Sequence, residues 1–399
     1  PRKLEKLDTE SFTIEKCPKK EEQKRQPLLF TIGPSFTMVI PMAVGAMMSS
    51  GGGFGASGLV MSVGAAGIGA AWALVNANYQ KKLEIEREAK RVGSYQEYIS
   101  RMNQRIQEKV NRNRDIIEKM LPEARQVTGF ALEESPRLWE KSSTHKDFLT
   151  VRLGRGDIAS YNAISVPKEQ AMAEHDPLSD LADQIMDSMS VMKQVPIGIS
   201  LYDNRILGIV SKDRRRALEL SNLVAAQITG LHPYTDVRCC FVYPLKESDH
   251  WKYTHWLPHV WTPDGKMRML CADEASMGDV MYFLSTVIRE RLEKEKESEE
   301  KETAKVLPHY CVMIADWSMI EDKPVAKYLL HPTPAMGISV VILADQIDRL
   351  PNSCTAVIRD DDDYHGFFST TAQFEDRENV AFDSMPDERM DAYARELSN

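Results

Sequence analysis

Between Pro27 and Gln80 the chain has no Asp, Glu, Lys or Arg. A hydrocarbon core is crossed by about 20 helical residues, so this uncharged run is too long for one span. It breaks at Ser49-Ser50-Gly51-Gly52-Gly53-Phe54-Gly55, where neither helix nor strand is favoured. The pattern predicts two transmembrane helices, 28–48 and 56–75, joined by a tight Gly-rich turn. With no charge inside either span, a proton or ion path has no local support. Cysteines are few, at positions 17, 239, 240, 271, 311 and 354, and no two form a C-x-x-C pair. Four of them lie in apolar, strand-like runs, as core thiols in a reducing cytoplasmic setting do. A G-x-S-x-G nucleophile elbow is absent, and so is any G-x-x-x-x-G-K-[ST] phosphate loop. The formal net charge of −9 gives a nucleic-acid partner no support.

Basic residues flank the uncharged run, with Lys19, Lys20, Lys24 and Arg25 before it and Lys81, Lys82, Arg87, Lys90 and Arg91 after it. By the positive-inside rule both ends, and so both termini, lie in the cytoplasm of a multi-pass membrane protein with the lipid bilayer as partner. Gly58, Ser62, Ala66 and Ala70 place small residues at four-residue spacing, the pattern by which lipid-embedded helices pack. The rest divides by texture: residues 1–27 a polar and basic juxtamembrane arm, 28–78 the hairpin, 79–133 a helical stalk, 134–385 an α/β domain and 386–399 a linker, with the acidic stretch 374–399 reading as an exit helix or linker. The stalk carries Ile99, Met102, Ile106, Val110, Ile117 and Met120 at three-, four- and seven-residue spacing. This seam either pairs with another helix or a copy of itself, or belongs to an ordinary amphipathic helix on its own domain. From Pro122 short apolar runs alternate with helical ones, several of the strands being apolar on both faces. That texture predicts a mostly parallel sheet covered by helices. A chain that opens on Pro and closes without a stop-like motif reads as a piece of something longer.

An α/β domain invites a search for a nucleotide site. Between strand 206–210 and the next helix, where a phosphate loop belongs, the chain reads Gly208-Ile-Val-Ser-Lys212-Asp213-Arg214-Arg215-Arg216. Laid on the motif from Gly208, the second Gly becomes Asp213, the Lys becomes Arg214 and the Ser/Thr becomes Arg215. Asp213 aims a carboxylate at the phosphates and Arg215 cannot ligate Mg²⁺. Strand 310–315 ends in Asp316, but Trp317 stands where a catalytic Glu would be. These positions are degenerate and no catalytic residue is assigned. His250, His255 and His259 have metal-like spacing, yet Pro258 keeps them off one helix face, so no metal site is assigned. Asp360–Asp363 reads as an exposed acidic loop.

Several stretches resemble the membrane-bound FtsK/SpoIIIE-type coupling ATPases of type VII secretion systems, the EssC/EccC family. They are Leu138-Trp139-Glu140, Asp147-Phe-Leu-Thr-Val-Arg-Leu-Gly-Arg-Gly156, Val195-Pro-Ile-Gly-Ile-Ser-Leu201, Gln227-Ile-Thr-Gly-Leu-His232, Trp256-Leu-Pro-His259 and Leu350-Pro351. The resemblance covers nearly the whole chain in order. It implies a RecA/FtsK-like sheet in 134–385, forming the first, membrane-proximal and degenerate ATPase-like domain, and a setting in the bacterial cell membrane. It further implies a hexameric motor, other membrane subunits of the secretion complex as partners, and export of small helical substrates. ATP and Mg²⁺ are then expected in downstream domains, with no cofactor in this fragment. The alternative is a membrane-tethered ATPase using a non-standard nucleotide site at these same positions.

Overall fold

The computed structural model describes residues 5–20, 56–168, 176–297, 305–362, 365–369 and 378–398, with backbone only at 56–66, 68, 70, 361, 362 and 365. The chain forms two compact units. A sheet unit takes residues 1–9, 109–161 and 191–399, and a helical unit takes 10–108 and 162–190. Among the described residues the long helices are α1 (Ala56–Met120), α2 (Ala124–Leu132), α3 (Asp180–Met189), α4 (Arg214–Leu231), α5 (Glu274–Glu297) and α6 (Asp387–Leu397). The strands are β1 (Phe12–Thr13), β2 (Thr150–Ala159), β3 (Ile164–Ser165), β4 (Val191–Ser200), β5 (Ile206–Ser211), β6 (Val237–Val242), β7 (Leu270–Cys271), β8 (His309–Ile314), β9 (Ile338–Ala344), β10 (Ala356–Asp362), β11 (His365–Ser369) and β12 (Glu378–Phe382).

The sheet unit is built on ten strands in the order β4-β2-β12-β11-β10-β5-β9-β8-β6-β7. From β10 to β7 every neighbouring pair is parallel. Strands β5, β6, β8 and β9 are buried along their whole length. Their side chains alternate between two apolar layers, as a period of two requires. Leu207, Ile209, Cys239, Phe241, Cys311 and Met313 face the layer that α4 and α6 close. Ile206, Val210, Cys240, Val242, Val312 and Ile314 face the layer on which Met277, Met281, Leu284 and Ile288 of α5 pack. Helix α4 is buried from Glu219 to Leu231, and small residues such as Ala225, Ala226 and Gly230 let neighbours approach it closely.

The sheet departs from a mostly parallel reading on one side. Strands β11, β12, β2 and β4 extend it beyond β10 through antiparallel pairs. β12 begins on the polar pair Glu378-Asn379, which hid it in the acidic C-terminal stretch. The stretch read there as an exit helix or linker forms α6, whose Met390, Tyr393, Ala394 and Leu397 are buried. The antiparallel extension is fixed by a charge cluster. Arg152 of β2 is wholly buried and pairs with Asp383 at 2.7 Å, Glu123 at 3.2 Å and Glu118 at 3.7 Å. Arg155 reaches the same glutamates, at 2.6 Å from Glu118 and 3.4 Å from Glu123. Burial raises the Asp383 carboxyl above its ordinary range against the opposing pull of Arg152.

The helical unit corrects the membrane assignment. The predicted span 28–48 and the turn 49–55 lie outside the described residues. The second span, 56–75, is helical, but it is the start of α1, which continues for 65 residues without a break. Among the described residues no helix is long and apolar enough to cross a membrane. The multi-pass membrane location with cytoplasmic termini is corrected on that ground, and the two-span hairpin and the bilayer as partner are left without support. The uncharged part of α1 runs without a break into the charged stretch that begins at Lys81, so it is the start of a longer helix and not a separate element. Gly58, Ser62, Ala66 and Ala70 are helical positions in the uncharged part.

The stalk seam is also taken within the chain. In the helical unit Ile99 and Ile106 are buried, and in the sheet unit Val110 and Ile117. In the helical unit the arm lies along α1 in extended form, its Phe12 and Ile14 buried and β1 paired with β3. The Tyr95 hydroxyl donates to the Glu15 carbonyl at 3.1 Å, and Arg91 donates to the Pro18 carbonyl at 2.8 Å. In the sheet unit Lys109 pairs with Asp8 at 2.6 Å, and the Asp8 N–H donates to Asn113 at 2.7 Å.

Candidate functional site

In open α/β sheets ligands sit at the carboxyl ends of the parallel strands, and a phosphate loop bridges a strand end to a helix start. Strand β5 ends at Ser211 and α4 begins at Arg214, so only Lys212 and Asp213 connect them. A cradle needs several consecutive N–H groups turned toward one point, which two residues cannot supply. Gly208 stands inside β5, where a Cβ would come within 2.3 Å of Leu350 Cδ1, so it is a packing glycine and not part of a loop. Asp213 is the N-cap of α4 and accepts the Arg215 N–H at 2.9 Å. The helix start thus carries its own carboxylate where a phosphate would bind.

The arginines are committed in the same way. Arg214 donates twice to Glu247, at 3.0 and 2.8 Å, and once to the Ala315 carbonyl, at 2.9 Å. Arg216 forms a fork on Asp360 at 3.1 and 2.7 Å, and the Ser211 hydroxyl donates to the same carboxylate at 3.1 Å. Arg215, itself exposed, pairs with the buried Glu219 at 3.2 Å, and Lys212 is exposed. Asp316 accepts the Ser318 N–H at 3.1 Å and the Ser318 hydroxyl at 2.7 Å, capping the short turn Trp317–Met319. Trp317 is half-buried against the α5 layer. The Arg214–Ala315 bond joins the start of α4 to the end of β8, so the fold does bring the two degenerate halves to one edge, and spends their charges there. Sequence reasoning missed Glu247 and took Asp360 for part of an exposed loop. Asp360 is 9% exposed and bonded to Arg216, 144 positions away, a distance that leaves no local signal.

The residues that carry the family resemblance meet elsewhere, around the C-terminal end of α4. The Trp139 N–H donates to the Gly230 carbonyl and its indole to the Thr229 carbonyl, both at 2.9 Å. Gln227 clamps Arg152 of β2, accepting its N–H at 2.7 Å and donating to its carbonyl at 2.5 Å. The Leu149 N–H donates to His232 Nε2 at 2.9 Å, while His232 Nδ1 donates to the Ile228 carbonyl at 3.0 Å. His259 Nε2 donates to the His232 carbonyl at 2.8 Å. Burial holds the imidazoles of His232 and His259 down to about 3 and about 4, so both are neutral. This cluster packs and orients; nothing in it is placed for catalysis. His250 bonds Asp387 at 2.8 Å and His255 is exposed, so the three spaced histidines do not converge. Among the described residues no group of three His, Cys, Asp or Glu side chains could hold a metal ion.

Fold and site together define a mixed α/β sheet module whose carboxyl edge is filled by its own ion pairs. No protein-family model matches the chain. It is 27% identical over 281 residues to the ESX secretion system protein EccC of Geobacillus thermodenitrificans, covering 70% of this chain and 19% of that protein. It is 24% identical over 372 residues to the ESX secretion system protein YukB of Bacillus subtilis, covering 92% and 24%. To the type VII secretion system protein EssC of Staphylococcus aureus it is 22% identical over 359 residues, covering 90% and 24%. Its homologues are thus EccC, YukB and EssC of type VII secretion, and the chain spans about a fifth to a quarter of their length. Among solved structures, ATPases 2 and 3 of EssC from Geobacillus thermodenitrificans align with a TM-score of 0.43 at 12% identity, over 66% of this chain and 50% of that one. A likeness at that level carries no argument, and the fold rests on the strand order above.

Proposed function

We propose that the sheet unit is an ATPase-like module of a type VII secretion protein that neither binds nor hydrolyses ATP and acts through its surfaces. The observation that carries this reading is the two-residue connection from β5 to α4, with Asp213 on the helix start and Arg214 and Arg216 paired to Glu247 and Asp360. A working site needs a Lys on the β- and γ-phosphates, a hydroxyl on Mg²⁺ and a carboxylate that positions water. Here those tasks fall on Arg214, Arg215 and Trp317, of which the first is already bonded to Glu247 and Ala315. ATP and Mg²⁺ belong, on this reading, to further ATPase domains of the longer protein, which works as a hexamer with other secretion subunits. The module passes conformational change between those parts. Calorimetric titration of Mg·ATP into the full chain tests it. No saturable heat is expected. Micromolar binding, or turnover that Asp316→Asn abolishes, would overturn the reading.

A further inference from the structure

The amino ends of the parallel strands carry four cations of an unusual kind. Arg205 precedes β5, Lys305 lies before β8, Arg238 is the second residue of β6, and Arg291 of α5 reaches the starts of β8 and β9. Each lies over an aromatic ring: Arg205 4.9 Å from the Tyr202 centroid, Arg238 5.5 Å from Tyr234, Arg291 5.1 Å from Tyr310, and Lys305 4.9 Å from Phe148 and 5.3 Å from Tyr202. Each donates to a backbone carbonyl: Arg205 to Tyr202, Arg238 to Pro258, Arg291 to Met336 and Pro308, Lys305 to His145. Among the described residues none of the four forms an ion pair.

Arg205, Arg291 and Lys305 lie near enough to His309 for their charges to act on it, and Arg291 and Arg238 do the same at Tyr310. Arg205 and Lys305 share the Tyr202 ring, which lies 5.9 Å from His309. Tyr310, the next residue, carries Arg291 on its ring and is the β-ladder partner of Arg238. Arg238 is 9% exposed and its Nε has no hydrogen-bond partner. Burial lowers the pKa of all four cations, and the charges of Arg205, Arg291 and Lys305 join burial in holding His309 down to about 3. Asp203 and Asp147 act on Lys305 from nearby without pairing with it. Cations that are wholly or partly buried and not bonded to a carboxylate have been partly desolvated in advance, so an anion meeting them loses less on binding than at hydrated surface lysines. Tyr234 and Leu307, 38% and 41% exposed, add apolar contact beside them.

We propose that this amino edge of the sheet docks an acidic peptide segment of a partner protein, its carboxylates on Arg205, Lys305, Arg291 and Arg238 and an apolar side chain on Tyr234 and Leu307. A long polyanion such as nucleic acid fits poorly, because beyond the patch it meets a chain whose net charge is −9. The proposal is independent of the nucleotide edge and holds whether or not ATP binds there.

Fluorescence anisotropy on the full chain tests it, with a short labelled peptide of alternating Glu and Leu as probe. Saturable binding that weakens as salt is raised is expected, and the same peptide with Lys for Glu is expected not to bind. Arg205→Gln with Lys305→Gln should weaken binding at least about tenfold, while Arg215→Gln at the opposite edge leaves it unchanged. The single change Lys305→Gln, on a side chain that is not wholly buried, should weaken it in the same direction if the double variant does not fold. No binding by the parent chain, equal binding by a Lys305→Gln variant that melts at the parent temperature, or tighter binding of a single-stranded oligonucleotide would each overturn the proposal.

Discussion

Arg152 is the residue on which the antiparallel half of the sheet depends. It is fully buried among Asp383, Glu123 and Glu118, and its removal takes the guanidinium from Asp383 while Arg155 still holds the two glutamates. Arg152→Met is expected to lower stability by about 3–5 kcal/mol in urea unfolding. Lys266→Gln, on a side chain 83% exposed and paired with the exposed Asp264, should stay within about 0.5 kcal/mol of the parent. The buried histidines set a pH dependence of definite sign. His232, His259 and His309 titrate at about 3, 4 and 3 in the folded chain, against about 6.5 when unfolded. Below about 6.5 the unfolded chain therefore binds more protons. The stability they bring is complete above that pH and is lost as the pH falls toward the folded values, with a slope of up to about 1.4 kcal/mol per unit for each histidine. Melting temperature should fall between about pH 6.5 and 5. His232→Gln should flatten that slope, and an unchanged slope would show that His232 is not buried neutral.

At the scale of elements, glycines distinguish contacts that can yield from those that cannot. A Cβ at Gly208 meets the end of the Leu350 side chain at 2.3 Å, which can turn aside. A Cβ at Gly154 meets the Ala381 carbonyl oxygen at 2.0 Å, and only separation of β2 from β12 relieves that. Gly208→Ala is expected to cost about 1–3 kcal/mol. Gly154→Ala should cost more, read as the larger fall in urea midpoint; the reverse order would mean that β12 is not held against β2. Element identity in the parallel core was legible because Ile206–Ser211, His309–Ile314 and Ile338–Ala344 are apolar on both faces. β12 was not, since its stretch is polar on average and only one face of it is buried. In the described part of the uncharged stretch nothing in the sequence marks a helix end, and α1 runs on from it into the charged residues after Gln80.

At the scale of the whole molecule, a ligand that binds only the folded state raises stability by mass action, about 2.7 kcal/mol at a hundred times its dissociation constant. Millimolar Mg·ATP is therefore expected to leave the melting temperature of this chain unchanged, and a rise would locate a nucleotide site that the carboxyl edge does not reveal. The sequence by itself determined the α/β class, the missing phosphate loop and the resemblance to type VII secretion ATPases, because these rest on local periodicity and on contiguous motifs. Only the tertiary structure decided what became of the charges. Glu247 meets Arg214 across 33 positions and Asp360 meets Arg216 across 144, so the same residue types that read as a damaged anion site are in fact neutralised pairs. Tertiary packing likewise turned the signature residues near Trp139, Gln227 and His232 into a clamp on α4 and gathered four cations at the opposite edge of the sheet. Ion pairing and aromatic stacking act through space over a few ångströms, and a linear chain does not record which distant residues folding will bring within that reach.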